Sequence, residues 1–213
     1  MTVRIIFEEL EDIRYISHLD LIRTFNRMLF RSGLPVKHSE GFNPHILLNI
    51  ALPLPVGVIS KREVADLELT RDLETEEIKA ALEAAAPRGI KIKEVTKELF
   101  PQFKNIAKAD YEIKIKCKTP KEKIGNFLES KEIITPKRTK KGVKDVDIKP
   151  LIYNYSVSEN DGLLIAATLA AGSALNLNPL LLIKTMESGI EGFEPEETEV
   201  VRICFMSDKN EIF

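Results

Sequence analysis

Hydrophobic and polar residues alternate along the chain in two successive runs of predicted strands and helices. In the first run, residues 3–7 alternate as a half-buried strand does, and residues 18–32 repeat apolar side chains along one helix face. Ser17 is the expected N-cap of this helix, and Gly33 is expected to end it. The other predictions are strands at 46–52, 63–70 and 90–95, and a helix at 75–86 capped by Thr75.

The same order of elements is predicted again after an aperiodic connector at residues 101–108. Strands are predicted at 111–118, around 133–135, and at 146–157, 163–169 and 199–206, and helices at 120–129 and 179–186. Asn178 and Pro179 are a typical N-cap and first residue for the last helix. The pattern predicts an α+β fold of two tandem ferredoxin-like (βαββαβ) units, with domains at 1–100 and 109–213.

Composition narrows the class of protein. The 213 residues are 44% hydrophobic and 30% charged, as in an ordinary globular chain. No apolar run has the length of a membrane span or the form of a secretion signal, so a soluble, cytoplasmic protein with no membrane partner is expected. Cys117 and Cys204 lie in predicted strands without CxxC spacing, which predicts buried thiols. The formal net charge of -2 means that nucleic-acid binding must depend on local basic patches.

Polar side chains are densest in the first fifty residues, which hold all three histidines. The segment after the first predicted helix reads Lys37-His38-Ser39-Glu40-Gly41-Phe42-Asn43-Pro44-His45. Gly41 permits a tight turn, and Asn43 is restricted to extended or turn conformations because Pro44 follows it. The sequence therefore predicts a rigid polar loop beside a helix start, with His38, Gly41, Phe42 and Asn43 as binding candidates.

An anion site is one interpretation of this cluster. The free N–H groups and positive dipole end of the helix attract phosphate or carboxylate, and Arg14, Arg23 and Lys37 add positive charge. The competing interpretation is structural: Asp20 belongs to the helix cap, and the loop is a turn that holds the sheet together.

A metal site is a further alternative. His18, His38 and His45, with Asp20 or Glu40, are suitable ligands for zinc, iron or manganese, although their spacing matches no diagnostic motif such as HExxH. Histidine also serves in general acid–base catalysis near neutral pH, which makes His18, Asp20 and His45 the candidate catalytic residues. No cofactor is expected, and a divalent metal is the alternative.

Two basic features indicate a polyanion as ligand. Arg23, Arg27 and Arg31 recur every four residues on the first helix, where they either follow a phosphate backbone or form an ordinary solvated face. A second basic segment contains Lys137, Arg138, Lys140, Lys141 and Lys144. A basic, glycine-containing loop between strands is suited to phosphate, and RNA is the natural ligand. The competing interpretation is a solvated hairpin whose lysines prevent pairing with other chains.

Several enzyme classes have no support in the sequence. It contains no P-loop, no GxSxG nucleophile elbow and no dinucleotide-binding fingerprint. It also lacks the CxxxCxxC run that would bind an iron–sulfur cluster of the radical SAM type in this chain.

Short stretches resemble a bacterial family of radical-SAM-linked proteins of unknown function. They are Arg14-Tyr15-Ile16-Ser17-His18-Leu19-Asp20-Leu21, Arg31-Ser32-Gly33-Leu34-Pro35-Val36, Gly41-Phe42-Asn43-Pro44-His45, Ala51-Leu52-Pro53-Leu54-Pro55-Val56-Gly57-Val58 and Asp147-Ile148-Lys149-Pro150. The resemblance implies a radical SAM enzyme, of the cobalamin type, as partner. It also implies a site formed by the motif residues His18, Asp20, Gly41, Phe42, Asn43 and His45.

These observations favour an accessory protein that binds tRNA or rRNA and presents it to a radical SAM enzyme. The first alternative is a metal-dependent or general acid–base enzyme that uses His18, His38 and His45 on RNA or on a phosphorylated small molecule. The second alternative is a protein-interaction module that binds no nucleic acid.

Overall fold

The computed structural model describes residues 1–139, 142–159 and 161–213, and the fold is α+β as the sequence predicts. Within these ranges, no helix is both long enough and apolar enough to cross a bilayer.

The chain divides into two compact units. Unit 1 comprises Met1–Asn105 and Glu211–Phe213, and unit 2 comprises Ile106–Asn210. The predicted second domain extends to residue 213, whereas in the structure the last three residues belong to unit 1.

Unit 1 is an antiparallel sheet packed against two helices. Its elements are β1 (Thr2–Glu9), α1 (His18–Ser32), β2 (Leu48–Ile50), β3 (Ile59–Glu68), α2 (Thr75–Ala85) and β4 (Ile90–Thr96), with 3₁₀ turns at Glu11–Ile13 and Phe103–Asn105. The strand order is β4-β1-β3-β2. In the two pairings of β1, Ile5 lies opposite Ala65 on one side and Val95 on the other.

Helix α1 begins and ends where the sequence predicts. The Ser17 hydroxyl accepts a hydrogen bond from the Asp20 N–H, and Gly33 ends the helix in the left-handed conformation at φ 67°. Phe25 is fully buried and meets the ring of Phe7 edge-on, with centroids 4.8 Å apart. Burial of one such side chain contributes about 1.5–3 kcal/mol. The predicted Thr75 cap of α2 is wrong, because the N-cap residue is Glu74.

Unit 2 repeats this arrangement with one insertion. Its elements are β5 (Ile106–Lys116), α3 (Lys121–Glu129), β6 (Ile134–Thr139), β7 (Gly142–Asp147), β8 (Ile152–Glu159), β9 (Leu163–Ala170), α4 (Pro179–Gly189) and β10 (Glu197–Ser207). The main sheet has the order β10-β5-β9-β8, whereas β6 and β7 pair only with each other. The predicted Asn178 cap is confirmed, since its side chain accepts a hydrogen bond from Leu180 N–H.

Two predictions in unit 2 are wrong. The connector at 101–108 already contains the start of β5, which begins at Ile106. The single strand predicted at 146–157 is interrupted by a 3₁₀ turn at Lys149–Leu151. Pro150 explains this break, because its fixed φ and missing N–H suit the first turn of a helix better than a sheet ladder.

In each unit a two-stranded arm follows the first helix. In unit 1 the arm is residues 37–47, here called the motif hairpin, and the Leu47 N–H donates to the Lys37 carbonyl at its base. In unit 2 the arm is β6 with β7, here called the basic ribbon, and the Ile148 N–H donates to the Ile133 carbonyl at its base.

The sheet face of unit 1 that points away from the helices is partly covered. Arg4 on this face is 3% exposed, forms two hydrogen bonds to the Asp66 carboxylate, and donates to the Pro101 carbonyl. Its guanidinium lies 4.7 Å from the centre of the Phe103 ring. The buried charge is therefore paired and stacked, as burial of an ion requires.

Candidate functional site

The motif hairpin is closed by a side-chain clasp. The Ser39 N–H donates to the His45 carbonyl over 2.8 Å, and the His45 N–H donates to the Ser39 hydroxyl over 3.1 Å. The same hydroxyl lies 2.8 Å from Nδ1 of His45. His38 forms a bridge with Ile46 between these contacts and the base. The polar run, which the sequence predicts to be a rigid loop, therefore forms a hydrogen-bonded hairpin.

The tip of the motif hairpin is fully accessible. Gly41 has φ 118°, a conformation that favours glycine, and Phe42 is 100% exposed. Asn43 and Pro44 are exposed as well. The tip presents a phenyl ring and an amide on a hairpin whose base is fixed.

The start of α1 carries a carboxylate of its own. The Ser17 hydroxyl donates to Asp20 over 2.7 Å, and Arg23 donates to the same carboxylate over 2.9 Å. The hydrogen bond from Ser17 and the contact with Arg23 hold the pKa of Asp20 below its ordinary value. An anion approaching this helix start meets a negative charge already in place.

The three histidines differ in their surroundings. His38 and His45 are exposed, whereas His18 is half-buried and its Nδ1 is buried without a hydrogen-bond partner. In the described part of the chain, no three histidine, cysteine, aspartate or glutamate residues lie close enough together to hold a metal ion. His18, His38, His45, Asp20 and Glu40 are therefore not gathered into one donor set.

Most cations predicted to bind in unit 1 have partners within the chain. Arg14 donates to the Gly57 carbonyl over 2.8 Å and so ties two of the resembling stretches together. Arg31 donates to the Ala85 carbonyl at the end of α2. Lys37 pairs with Glu68 over 2.8 Å, and the hydrogen bond to this carboxylate raises the pKa of Lys37.

Arg27 lies between Arg23 and Arg31 on α1 and is exposed. Arg23 is paired with Asp20, and Arg31 donates to a carbonyl, so two of the three arginines already have partners within the chain. That these arginines contact a phosphate backbone stays a prediction.

A small cavity lies beside the motif hairpin. It has a volume of about 280 Å³ and is lined by His45, Asn49, Asp66 and Glu68, among others. Both carboxylates are already paired, Asp66 with Arg4 and Glu68 with Lys37. The cavity therefore offers polar contacts without an uncompensated charge.

The basic ribbon has a buried, hydrogen-bonded base. Thr135 is 3% exposed and lies 2.9 Å from the hydroxyl of Thr185 on α4. The Asp147 carboxylate accepts from the N–H groups of Ile133 and Lys149, both over 2.9 Å. The Asp147–Pro150 stretch singled out by the resemblance thus serves here as a structural clasp.

Beyond this base the first residues of β7 are exposed. Val143 is 67% exposed, and Lys144 is exposed beside it. The backbone register places Lys137 opposite Lys144 and Arg138 opposite Val143. Lys140 and Lys141, which were also predicted to bind phosphate, lie outside the described residues.

Most of the anchor of the ribbon could not be predicted from the sequence. Thr135 and Thr185 are ordinary residues for a strand and a helix, and their contact spans 50 positions. Asp147 did carry a signal, since aspartate side chains often accept a hydrogen bond from the backbone two residues on, as Asp147 does from the Lys149 N–H.

Comparison with known proteins yields one family. The model of the family described as "Uncharacterized protein conserved in bacteria (DUF2344)" matches residues 2–179. No curated protein matches the chain. A solved chain from the "Crystal Structure of a Cbf5-Nop10-Gar1 Complex" is similar with a TM-score of 0.49 and 15% sequence identity. The alignment covers 94% of this chain and 48% of that one, so this chain spans about half its length, and so distant a likeness adds nothing to the functional argument.

Proposed function

We propose that this chain, which belongs to the bacterial DUF2344 family, binds RNA through the basic ribbon and presents that RNA to a partner enzyme. Lys137 to Lys144 contains five basic residues and no acidic one, in a chain with a net charge of -2. We also propose that the two units are ferredoxin-like, for which the element order and the antiparallel strand order of each provide support.

The cross-strand register is the observation that carries the proposal. Lys137 lies directly opposite Lys144. The register thus assigns two lysines to one cross-strand position, and like charges at such a position are unfavourable in an antiparallel pair. A phosphate bound near both residues converts this repulsion into two attractive contacts.

The fixed base adds to the argument. Thr135 and Asp147 hold the ends of the ribbon to unit 2, so the exposed part extends from a rigid support. A support that is fixed before binding lowers the conformational entropy lost on binding. Because binding to the phosphates releases counterions, we also expect the RNA affinity to fall steeply as the salt concentration rises.

The test is a titration of a fluorescein-labelled RNA stem–loop at several salt concentrations between about 50 and 200 mM. The variant is Lys137→Glu with Lys144→Glu. The matched control is Lys121→Glu with Lys184→Glu, which changes the net charge equally at two exposed helix positions of the same unit. We expect at least about tenfold weaker binding and a salt slope reduced by about two in the ribbon variant, and less than about threefold weaker binding in the control.

Equal losses in both variants would show that only net charge matters and would contradict the proposal. So would a parent protein whose dissociation constant exceeds about 100 µM at physiological salt, the weak end of non-specific binding.

We propose a radical SAM enzyme as the partner and the motif hairpin as its contact. The resemblance of 14–21, 41–45 and 51–58 to the radical-SAM-linked family supports this, as does the fully exposed Phe42 at the tip. A purified radical SAM enzyme should bind the parent chain more tightly than it binds the Phe42→Ala variant. Equal affinities would remove the hairpin from the interface.

A further inference from the structure

The outward face of α1 combines arginines with accessible apolar side chains. Leu19, Arg23, Arg27 and Phe30 are all exposed and recur every three or four positions, so they share one stripe of the helix. This stripe lies on the side away from the buried residues of α1. The helix therefore shows solvent a face with two arginines between two apolar residues.

The apolar ends of this stripe are open to solvent. Phe30 is 87% exposed and Leu19 is 64% exposed. Eleven residues separate them, which places them about 16 Å apart along the helix. Apolar surface that is flanked by polar residues is typical of protein–protein interaction sites. The outward face of α1 is therefore suited to contact with a protein.

The positive charge on this face is only partly neutralised within the chain. Arg23 pairs with Asp20 over 2.9 Å, and that pair lies at the surface. In the part of the chain that the structure describes, Arg27 has no acidic partner. The stripe thus retains a net positive charge.

The outward face of α2 has the opposite character. Glu76, Glu77 and Glu83 are exposed, and Ala80 and Ala84 lie exposed among them. Of these three glutamates, only Glu83 has a cation partner among the described residues, on its own helix at 3.8 Å. Because alanine side chains are short, this face is both acidic and shallow.

We infer that two copies of this chain associate through their helix layers, with α1 of each copy against α2 of the other. The two helices are neighbours, since Arg31 of α1 donates to the Ala85 carbonyl at the end of α2. A two-fold contact uses the same surface of both copies, so each α1–α2 contact occurs twice. Both contacts bring arginines to glutamates and place the bulky Leu19 and Phe30 over alanines.

A second copy accounts for both faces at once. A phosphate backbone attracted to Arg27 leaves Leu19 and Phe30 in water and meets the glutamates of the neighbouring helix, which repel it. Pairing of α1 with α1 is also unfavourable, because it brings arginines together. Charge complementarity therefore selects the pairing of unlike helices.

The size of the helix layer sets the strength of the association. With 15 residues in α1 and 11 in α2, the two helices are about 22 and 16 Å long and together about 20 Å wide. Their flat area of about 400 Å² is roughly half of what each partner contributes to a standard interface. We therefore expect a weak dimer with a dissociation constant of about 10–100 µM, which weakens as salt screens its exposed charges.

Sedimentation velocity of the full chain, from about 5 to 300 µM at low salt, measures this dissociation constant. The base variant is Arg23→Glu with Arg27→Glu, and the acid variant is Glu77→Lys with Glu83→Lys. Each alone should weaken the dimer at least about tenfold, because each sets like charges against each other at both contacts.

The control is Lys121→Glu with Lys184→Glu, which changes the net charge as the base variant does, but at exposed helix positions of unit 2. It should weaken the dimer less than about threefold. Phe30→Ala leaves the charge unchanged and should weaken the dimer at least about threefold, because it removes an apolar contact. Thermal unfolding of each variant verifies that the fold is intact.

A mixture of the base variant and the acid variant tests the pairing of unlike helices. In the mixed dimer, the new glutamates on α1 of one copy face the new lysines on α2 of the other. At the second contact, the original arginines face the original glutamates. The mixture should therefore associate to within about threefold of the parent, although neither variant does so alone.

Three outcomes would overturn the inference: a parent that stays monomeric at the highest concentration, a control that loses as much affinity as the base variant, or a mixture that associates no better than its components. A monomeric parent whose base variant binds the RNA stem–loop more weakly would assign the arginines to RNA instead. The dimer lies on unit 1 and the basic ribbon on unit 2, so either proposal can fail without the other.

Discussion

The motif hairpin of unit 1 and the basic ribbon of unit 2 occupy the same place in the element order but treat their charges differently. In the hairpin, Lys37 is paired with Glu68, and His45 contacts Ser39. In the ribbon, the register places Lys137 opposite another lysine, Lys144. A charge satisfied inside the chain stabilises the fold, whereas two lysines at one cross-strand position do not, and the RNA contact proposed above offsets this cost.

Because of this contrast, the proposed RNA binding depends on the basic ribbon and not on the histidine-rich hairpin. The sequence points first to the histidine-rich hairpin, since its residue types are those of active sites. The contacts tie Lys37, Ser39 and His45 into the fold and leave Phe42 at the tip of the hairpin exposed. Three variants probe how far the contrast holds.

The largest effect is expected where the ribbon meets α4. Thr185 has one hydroxyl proton, which it donates to the Leu181 carbonyl, so it accepts the proton of Thr135. Thr185→Val leaves the buried Thr135 hydroxyl without this acceptor and should lower the free energy of unfolding by about 1–3 kcal/mol. Urea denaturation measures the change.

The double variant Thr135→Val with Thr185→Val is the control. Because it removes both polar partners, it should recover most of the loss. A double variant as unstable as Thr185→Val alone would mean that the hydrogen bond does not anchor the ribbon.

A smaller effect is expected in the motif hairpin. Ser39→Ala removes the hydroxyl that contacts His45 through its backbone N–H and its ring. The contact is exposed, so the local cost should be about 0.5–1.5 kcal/mol, seen as faster hydrogen exchange at Leu47 and Ser39 with little change in Tm. Ser188→Ala on α4 is the matched control, and unchanged exchange in the hairpin would show that the clasp is not needed.

The smallest effect is expected at the start of α1 and depends on pH. The folded state lowers the pKa of Asp20 from 3.8, so its carboxylate stabilises the fold above that value and loses this contribution as the pH falls through the lowered pKa. Asp20→Asn should lower Tm at pH 7, and its difference from the parent should shrink below about pH 4. The exposed Asp72→Asn is the control, and a difference that stays constant with pH would contradict the role assigned to Ser17 and Arg23.

Local signals predicted much of the fold. The Ser17 cap, the φ of Gly33 and the Asn178-Pro179 start of α4 follow from short-range rules that the chain obeys. The ribbon was only partly predicted, because β7 has no buried face along its length. Val143 and Lys144 are both exposed, so the period of two is lost.

The sites were harder to predict because they depend on contacts between distant positions. Lys137 and Lys144 appear in the sequence as one basic run, and only the register reveals that they oppose each other. Alternation along a strand predicts which residues share a face, but strand order and register decide which residues are neighbours.

The position of the two arms has a consequence for how such a chain can diversify. Each arm is closed at its base by a backbone hydrogen bond, Leu47 to Lys37 in one unit and Ile148 to Ile133 in the other. Substitutions or insertions at a tip therefore leave the core strands and helices of the unit in register. A lineage can change the residues at the tip of an arm while it inherits the sheet unchanged, so the arms can evolve faster than the fold that displays them.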